Sequence, residues 1–429
     1  MLADIGLSSL DDLFDCVPEA LRLAGGLDLP DGLPEADVAD EMARLAGRNH
    51  YGKDLVCFAG AGAYDHDIPS VVRSLGMRSE FVTAYTPYQP EVSQGVLQAL
   101  FEYQTLAARL TGMEIANASL YDGSAALVEA ANLAAAASKR QTIWVSAGVH
   151  PQWREVLQTF ARGTGHEIHT VPLKGGVTDW SRAPHGEQPG AVIAASPNYF
   201  GVIEDLAAAR EIADDHKALL IASFDPVASG ILKTPGDYGA DVAVGEGQPF
   251  GTPLSFGGPY LGLFTCRKEH VRRIPGRLVG RTADTEGRTS YVTTLRAREQ
   301  DIRREKATSN VCTNQTLIAV AWMIQLAWLG TAGLEELALR CARGTRYTRE
   351  ALTKIPGVEP LHAAPTLREF AVRLPVKPDK AVERMAEAGF LAGVPVTDGH
   401  EDGLLVAVTE KRTRSEIDAY VAALEKVVR

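Results

Sequence analysis

The sequence has few cysteines, and no two of them form a C-x-x-C pair. The five cysteines, at positions 16, 57, 266, 312 and 341, are odd in number and far apart, which is typical of free thiols in a reducing cytosol. No apolar run approaches the roughly 18 residues of a membrane span. The stretch MLADIGLSSLDDLFDC has acids where an export signal would have bases, so the sequence predicts a cytoplasmic protein.

Positive charge is also scarce over most of the chain. The formal net charge is −11, which argues against a nucleic-acid surface. Residues 267–306 are the exception, with twelve Lys and Arg against six Asp and Glu, a local net charge of +6. Such a stretch either steers an acidic partner or forms solvated faces and intersubunit ion pairs.

The order of hydrophobic patterns predicts an α/β fold. Residues 1–60 alternate short amphipathic pieces with turns and are interpreted as an N-terminal helical arm. Over residues 61–329, helical patterns alternate with short apolar runs, which predicts a large domain with a mainly parallel sheet and helices on both faces. The runs are TIWVSA, EIHTVPL, AVIAAS, ALLIAS, DVAVG and LGLFT. Residues 330–429 read as strand, helix, strand, helix, which predicts a small α+β C-terminal domain.

Two motifs in the large domain are candidates for ligand binding. SLYDGSAALVEA is a turn of small residues that opens a helix, where Asp122 and Ser124 act as caps or backbone N–H groups bind a phosphate. LLIASFDP ends a strand at Asp225, which either caps the following turn or holds the proton of a pyridine nitrogen. His166 and His169 alternate along a strand without a third ligand, so no metal site is predicted.

A glycine-rich turn, GEGQPFGTPLSFGGPYLG at residues 245–262, follows the next strand, and no lysine occurs between Lys233 and Lys268. The order of these features resembles the large domain of fold-type I pyridoxal-phosphate enzymes, and the small C-terminal domain agrees with that. Longer stretches are more specific, above all YTPYQPE, SPNYFGVIEDL, GRLVGRT and REQDIRREKATSNVCTNQ. They resemble the glycine cleavage system P-protein family, and specifically its N-terminal half, which in many bacteria is a separate alpha subunit.

The resemblance implies that this chain lacks the Schiff-base lysine. The catalytic half of the family reads H-K-T-F-x-x-P-H-G-G-G-G-P. An ungapped alignment of its prolines with Pro253 and Pro259 places Gln248 at the lysine position. A carboxamide cannot condense with the cofactor aldehyde. The chain alone is therefore expected to be inactive, with pyridoxal 5'-phosphate bound to a partner beta subunit in an alpha2beta2 assembly and only a relic pocket here, formed by Ser124, Asp225 and Gln248.

Fold-type I sites lie between paired subunits, so the resemblance also implies residues contributed in trans. Thr86, Tyr88, Gln89 and Gln94 are candidates to reach the beta active site, unless the loop only packs the dimer. Thr308, Ser309 and Asn310 are candidates for the cofactor's phosphate or the substrate, unless they cap a helix. The implied function is that of a subunit of decarboxylating glycine dehydrogenase, which releases carbon dioxide from glycine and transfers the aminomethyl group to lipoylated H-protein. The alternative is a structural scaffold that stabilises the beta subunit or docks H-protein.

Overall fold

The computed structural model describes residues 1–23, 25–50, 54–85, 87–396 and 399–429. Contacts divide the chain into two compact units, Met1–Asp54 and Leu55–Arg429. The predicted arm of residues 1–60 is therefore too long, because Val56–Cys57 forms a strand that pairs in parallel with Phe390–Leu391. The predicted division at residue 330 between a large and a small domain stays a prediction.

The first unit has almost no interior. Three short 3-10 turns precede helix α1 at Glu35–Ala46, and no described residue of the unit is buried. Most of its large apolar side chains are exposed, namely Met1, Ile5, Leu10, Leu13, Phe14, Leu21, Leu23, Leu27, Leu29, Leu33, Val38, Met42 and Leu45. Because hydrophobic stabilisation scales with buried apolar area, this unit gains little of it by itself.

The second unit alternates strands and helices. Its helices are α2 Ser70–Gly76, α3 Ser79–Val82, α4 Gln94–Thr111, α5 Gly123–Ser138, α6 Pro151–Thr164, α7 Leu206–Asp215, α8 Gln300–Arg303, α9 Thr316–Leu352, α10 Pro378–Glu387 and α11 Arg414–Val428. Its strands are β1 Val56–Cys57, β2 Ile115–Ala116, β3 Thr142–Ser146, β4 Glu167–Val171, β5 Leu173–Lys174, β6 Val177–Thr178, β7 Ala191–Ser196, β8 Leu219–Phe224, β9 Val242–Glu246, β10 Gly262–Cys266, β11 Val279–Ala283, β12 Thr289–Thr293, β13 Glu359–Pro360, β14 Glu369–Arg373, β15 Phe390–Leu391, β16 Val394–Pro395 and β17 Gly403–Ala407.

A seven-stranded sheet forms the centre of this unit, in the order β2-β10-β9-β8-β7-β3-β4. Neighbours from β9 to β4 are parallel, and β10 is antiparallel to both β9 and β2. Strands β3, β7, β8, β9 and β10 are almost wholly buried, as expected for a sheet covered on both faces, whereas the edge strand β4 is mostly half-buried or exposed. The prediction of a mainly parallel α/β sheet is confirmed.

Alternate residues of each strand face opposite helical layers. On one face Ile143, Val145, Ile193 and Ile221 pack against α5 and α6. On the other, Trp144, Val192 and Leu220 pack against α7, while α4 and α9 cover the side of the sheet near β10. Because β7, β8 and β9 are parallel, their carboxyl ends lie at the same edge of the sheet.

Helix α9 is, by length and composition alone, apolar enough to cross a membrane. Its residues Ala319, Trp322 and Leu326 pack into the core beside α4. Gly330, with φ 60° and ψ −174°, interrupts the helix. Core packing accounts for part of this apolar composition, since 33% of the most apolar stretch is buried.

A second sheet, in the order β13-β14-β17-β16, packs against α10 and α11. Its strand β14 begins beside the turn that follows β7. Gly201 in that turn has a φ of 72°, and an added Cβ would lie 1.8 Å from the carbonyl oxygen of Glu369. Only glycine permits this approach, which places the start of β14 over the carboxyl edge of the large sheet.

Candidate functional site

The carboxyl ends of β7, β8 and β9 and the start of β14 surround a small cavity. Ligands of open α/β sheets bind at this edge. The cavity has a volume of about 80 Å³, and it is lined by Gly62, Tyr64, His150, Trp153, Ala195, Pro197, Asn198, Tyr199, Ser223, Phe224, Asp225, Pro226, Glu246, Pro249, Leu367, Arg368 and Glu369. Pockets that hold small molecules usually measure at least roughly 300 Å³, so side chains fill most of this edge.

Asp225 follows β8, as the sequence predicts, and forms a buried ion pair. Its Oδ2 lies 2.5 Å from Nη2 of Arg368, and the two side chains are 11% and 5% exposed. Its Oδ1 accepts a hydrogen bond of 2.8 Å from the backbone N–H of Val227. Burial disfavours the charged guanidinium and is the largest single influence, but Asp225 together with Tyr64, Glu369 and Cys341 outweighs it, so the pKa of Arg368 is raised. The carboxylate is therefore neutralised within the chain.

Arg368 is held from several sides. Its guanidinium lies 3.4 Å from the centroid of the Tyr64 ring, and its Nη1 lies 3.2 Å from Nε2 of His66. Nδ1 of His66 lies 2.6 Å from Glu410, so His66 links Arg368 to Glu410. The backbone of Arg368 has a φ of 64°, a left-handed conformation that is strained for a residue with a Cβ. The surrounding contacts must compensate that strain.

Gln248, at the position aligned with the lysine, is fully buried. Its Nε2 donates to the carbonyl oxygens of Tyr64 at 3.0 Å and Thr252 at 2.9 Å. Its Oε1 accepts from the backbone N–H of Tyr64 at 2.9 Å. Both amide hydrogens and the oxygen are thus in use, and they fasten the Tyr64 loop to the end of β9.

The N-terminus of α5 carries two carboxylates. Asp122 caps the helix by accepting from the N–H of Ala125 at 2.8 Å, and it also accepts from the Ser124 hydroxyl at 2.5 Å. Glu246 accepts from the N–H of Gly123 at 2.9 Å. The helix start is thus the capped turn that the sequence allows, and its anion-binding N–H of Gly123 is occupied from within the chain.

Glu246 also links two other segments. Its Oε1 accepts from the backbone N–H groups of Gln248 at 3.0 Å and Leu261 at 2.9 Å. Burial raises the pKa of Glu246 to about 7, although these three N–H donors oppose the shift. The carboxyl group therefore holds the start of α5, the end of β9 and the start of β10 together.

Tyr64 and Glu369 close the remaining side of the cavity. The Tyr64 hydroxyl donates to the Glu369 carboxyl, which also accepts from the N–H of Ala61 at 3.1 Å. Complete burial raises the pKa of Glu369 to about 7 and raises the pKa of Tyr64. None of Tyr64, Glu369, Arg368 and Glu246 was predicted from the sequence as a site residue.

The loop predicted to act in trans is partly committed to contacts within the chain. Gln94 Nε2 donates to the carbonyl oxygens of Pro90 at 2.7 Å and Tyr291 at 2.8 Å, while its Oε1 accepts from the N–H of Tyr291 at 2.8 Å and the hydroxyl of Ser290 at 3.2 Å. This amide has no free polar atom left for a second chain. The role of Gln94 in trans stays a prediction, with a structural role in bracing β12 now visible.

The other predicted residues of this loop differ in how many contacts they make within the chain. The Tyr88 hydroxyl contacts Asn314 and lies 3.2 Å from the Thr313 hydroxyl, and Arg277 lies over its ring at 4.8 Å. Gln89 is exposed, and among the described residues its side chain makes no hydrogen bond. Thr86 lies outside the described residues. Gln89 is therefore the predicted residue that most clearly remains available to a second chain.

The second segment predicted to act in trans, residues 308–310, is mostly exposed to solvent. Thr308 and Asn310 are exposed, and Ser309 is half-buried. Ser309 accepts from the N–H of Val311 at 3.2 Å and hydrogen-bonds the buried Glu129, whose pKa is raised by burial to about 7. The helix that follows begins at Thr316 with Gln315 as its N-cap residue, so none of the three residues caps it, and Ser309 instead accepts a hydrogen bond within a local turn.

The basic stretch 267–306 is paired in part. Ion pairs within the chain join Arg267 to Asp241, Arg277 to Glu299, Arg288 to Asp284 and Glu286, and Arg296 to Asp301. Arg298 donates to backbone carbonyl oxygens. Seven further cations are exposed and form no ion pair with any described residue: Lys268, Arg272, Arg273, Arg281, Arg303, Arg304 and Lys306.

The two histidines on β4 have polar neighbours of their own. His166 lies 2.6 Å from the Gln141 side-chain oxygen and 2.9 Å from that of Asn132. His169 lies 3.1 Å from Glu187. Both rings are explained by these contacts, and the absence of a metal site stays a prediction.

Comparison with known proteins agrees with this fold. The family model for the glycine cleavage system P-protein matches residues 1–424. A probable glycine dehydrogenase (decarboxylating) subunit 1 from Moorella thermoacetica is 49% identical over 433 residues, which cover 100% of this chain and 97% of the relative. The protein of the same name from Chlorobium limicola is 46% identical over 427 residues, with 99% and 96% coverage.

Solved structures give the same result. The crystal structure of an inhibitor-bound glycine decarboxylase (P-protein) of the glycine cleavage system is similar with a TM-score of 0.94 and 45% identity, covering 100% of this chain and 97% of that one. Lactobacillus brevis glutamate decarboxylase, at 14% identity and a TM-score of 0.67, shares only the fold-type I architecture. The name subunit 1 implies a second subunit, and the match over nearly the full length shows that the chain belongs to the glycine cleavage system P-protein family.

Proposed function

We propose that this chain is the subunit of glycine decarboxylase that does not hold the cofactor. Together with a second subunit it decarboxylates glycine and transfers the aminomethyl group to lipoylated H-protein. One observation carries the proposal: Gln248 stands at the position aligned with the family's lysine, and its carboxamide is buried and hydrogen-bonded on both sides. A carboxamide has no nucleophilic amine for an aldehyde.

The proposal assigns pyridoxal 5'-phosphate to the second subunit. When bound there, the cofactor stabilises the carbanion that decarboxylation leaves. The residues at the corresponding edge of this chain do not fit it, and the chain's own contribution is to the walls of the second subunit's site. A cytoplasmic alpha2beta2 assembly is part of this proposal.

Reconstitution tests it directly. This chain, the second subunit and a mixture of both are assayed for exchange of the glycine carboxyl group with labelled bicarbonate, in the presence of lipoylated H-protein. We expect exchange with the mixture and none with this chain alone. A second subunit that is fully active alone and never co-elutes with this chain in size-exclusion chromatography would contradict the proposal.

The scaffold alternative is favoured by one specific observation. The polar groups of Tyr88 and Gln94 form hydrogen bonds within the chain. These bonds stabilise the shape of the loop surface and leave the polar groups poorly placed to contact a substrate. Gln89→Ala separates the two functions because Gln89 is exposed. If turnover falls while assembly is intact, Gln89 acts in trans. If turnover is unchanged for Gln89→Ala, Thr308→Ala and Asn310→Ala alike, the scaffold function is supported.

A further inference from the structure

The cavity at the carboxyl edge of the large sheet is closed by side chains that take the positions of three parts of a cofactor. In this fold a pyridoxal phosphate needs donors for its phosphate, a free carboxylate for its ring nitrogen and an amine for its aldehyde. We infer that Glu246, Arg368 and Gln248 occupy these three positions, so that the chain excludes pyridoxal phosphate even as a non-covalent ligand. This inference rests on the proposed function and adds a mechanism of exclusion to it.

The phosphate position is taken by Glu246. A phosphate at the start of α5 would bind backbone N–H groups there. The N–H of Gly123 already donates to Glu246 at 2.9 Å, and the N–H of Ala125 donates to Asp122 at 2.8 Å. A phosphate at this helix start would therefore lose these two donors to carboxyl groups of the chain. The Asp122 carboxylate would also repel a dianionic phosphate.

The ring-nitrogen position is taken by Arg368. The Asp225 carboxylate can hold a protonated pyridine nitrogen only if it faces no other cation. Here Nη2 of Arg368 lies 2.5 Å from Oδ2 of Asp225, and the guanidinium stacks 3.4 Å from the Tyr64 ring centroid. A planar cation thus lies against the carboxylate. Displacing it would leave a buried arginine unpaired.

The aldehyde position is taken by Gln248, and restoring a lysine there does not reopen the site. The remaining cavity of about 80 Å³ is too small for a pyridine ring with a phosphate, since ligand pockets measure at least roughly 300 Å³. Glu246 is also held by the N–H groups of Gly123 and Leu261, and Arg368 by Asp225 and His66, and none of these contacts uses the side chain of residue 248. The missing lysine is therefore one of three barriers.

The first test uses the unmodified chain. Pyridoxamine phosphate, which has no aldehyde to react with surface lysines, is offered to the full-length chain in equilibrium dialysis. We expect no saturable binding. Saturable binding of one equivalent per chain would overturn the inference, whatever the variants below do.

The second test opens the site by substitution. In Glu246→Ala/Arg368→Ala we expect the affinity for pyridoxamine phosphate to rise by about tenfold or more. The matched control, Glu350→Ala/Arg346→Ala, removes an ion pair of the same residue types that is 58% and 82% exposed, and it should gain nothing. Equal binding by the folded double variant and its control contradicts the inference.

The third test addresses the lysine. After incubation with pyridoxal phosphate and borohydride reduction, peptide mass spectrometry is used to find the pyridoxyl group. Gln248→Lys alone should carry none at residue 248, whereas Gln248→Lys in the Glu246→Ala/Arg368→Ala background should carry it. A stoichiometric adduct at residue 248 in the single variant would overturn the inference. None of these results depends on activation of the second subunit, so this inference and the proposed function can fail separately.

Discussion

The Asp225–Arg368 ion pair offers the sharpest test of how the cavity edge is held together. Asp225→Asn keeps the volume of the side chain and its hydrogen bond from Val227, but it leaves a guanidinium that is 5% exposed without its counter-ion. Loss of one partner of a buried pair costs about 3–5 kcal/mol. Arg368→Met should cost a similar amount, and it also loses the contact with the Tyr64 ring at 3.4 Å, worth about 1–2 kcal/mol in a dry site.

The double variant Asp225→Asn/Arg368→Met completes a thermodynamic cycle. It leaves neither charge unpaired, so it should be less destabilised than the sum of the two single variants by about 2 kcal/mol or more. The free energy of unfolding is measured by urea titration followed by the fluorescence of the buried Trp144 and Trp322. Glu350→Gln, in an exposed pair with Arg346, is the control and should leave the urea midpoint unchanged.

Two results would refute this reasoning. The first is a single-variant cost below about 1 kcal/mol, which is what exposed pairs contribute. The second is strict additivity in the double variant. Either would mean that water or another group already screens Arg368, and that the cavity edge is looser than its burial indicates.

Three further predictions follow from contacts at the edges of the site. Gln94→Leu leaves the N–H and carbonyl groups of Tyr291 unpaired and should destabilise the chain by about 1–3 kcal/mol, with faster hydrogen exchange at the Tyr291 amide as the measurement; unchanged exchange would contradict it. The pKa of Glu129, raised from 4.5 to about 7, means that the native state holds this proton more tightly than the unfolded state. The stabilisation of the native state by this bound proton is complete below pH 4.5 and is lost as the pH rises to 7. Glu129→Gln should therefore flatten the fall in unfolding free energy over that interval, and an unchanged pH profile would count against it. Gln89→Ala should lower turnover of the reconstituted enzyme without changing co-elution of the subunits, and an unaltered rate would remove Gln89 from the site.

The strands and their order along the chain could be predicted from the sequence because buried parallel strands are continuous apolar runs. The run AVIAAS became β7 at Ala191–Ser196 without adjustment, and ALLIAS differs from β8 by one residue at each end. The Asp122 cap was equally visible, since an acid before a small-residue helix start has few other roles. Asp225 could be placed at the carboxyl edge of the sheet because it directly follows the apolar run that forms β8.

The partners of these residues could not be predicted, because they arrive from distant segments. Arg368 and Glu369 stand in TLREFAVRLP, where two charges before a buried strand look like a solvent-exposed strand end. Their burial depends on the close approach at Gly201, which no local pattern reports. Glu246 had one usable signal: an acid two residues before the position aligned with the lysine, inside a turn where a phosphate-binding group is otherwise expected.

The left-handed backbone at Arg368 limits which side chains position 368 can carry without destabilising the fold. At a φ of 64°, every residue with a Cβ carries a strain of about 1 kcal/mol relative to glycine. Arginine offsets it through its charge, and glycine avoids it altogether. Alanine or leucine does neither. Relative to alanine, glycine at position 368 should recover about 1 kcal/mol, while both lose the ion pair with Asp225, so a saturation library ranked by folded yield should place arginine first and glycine above alanine.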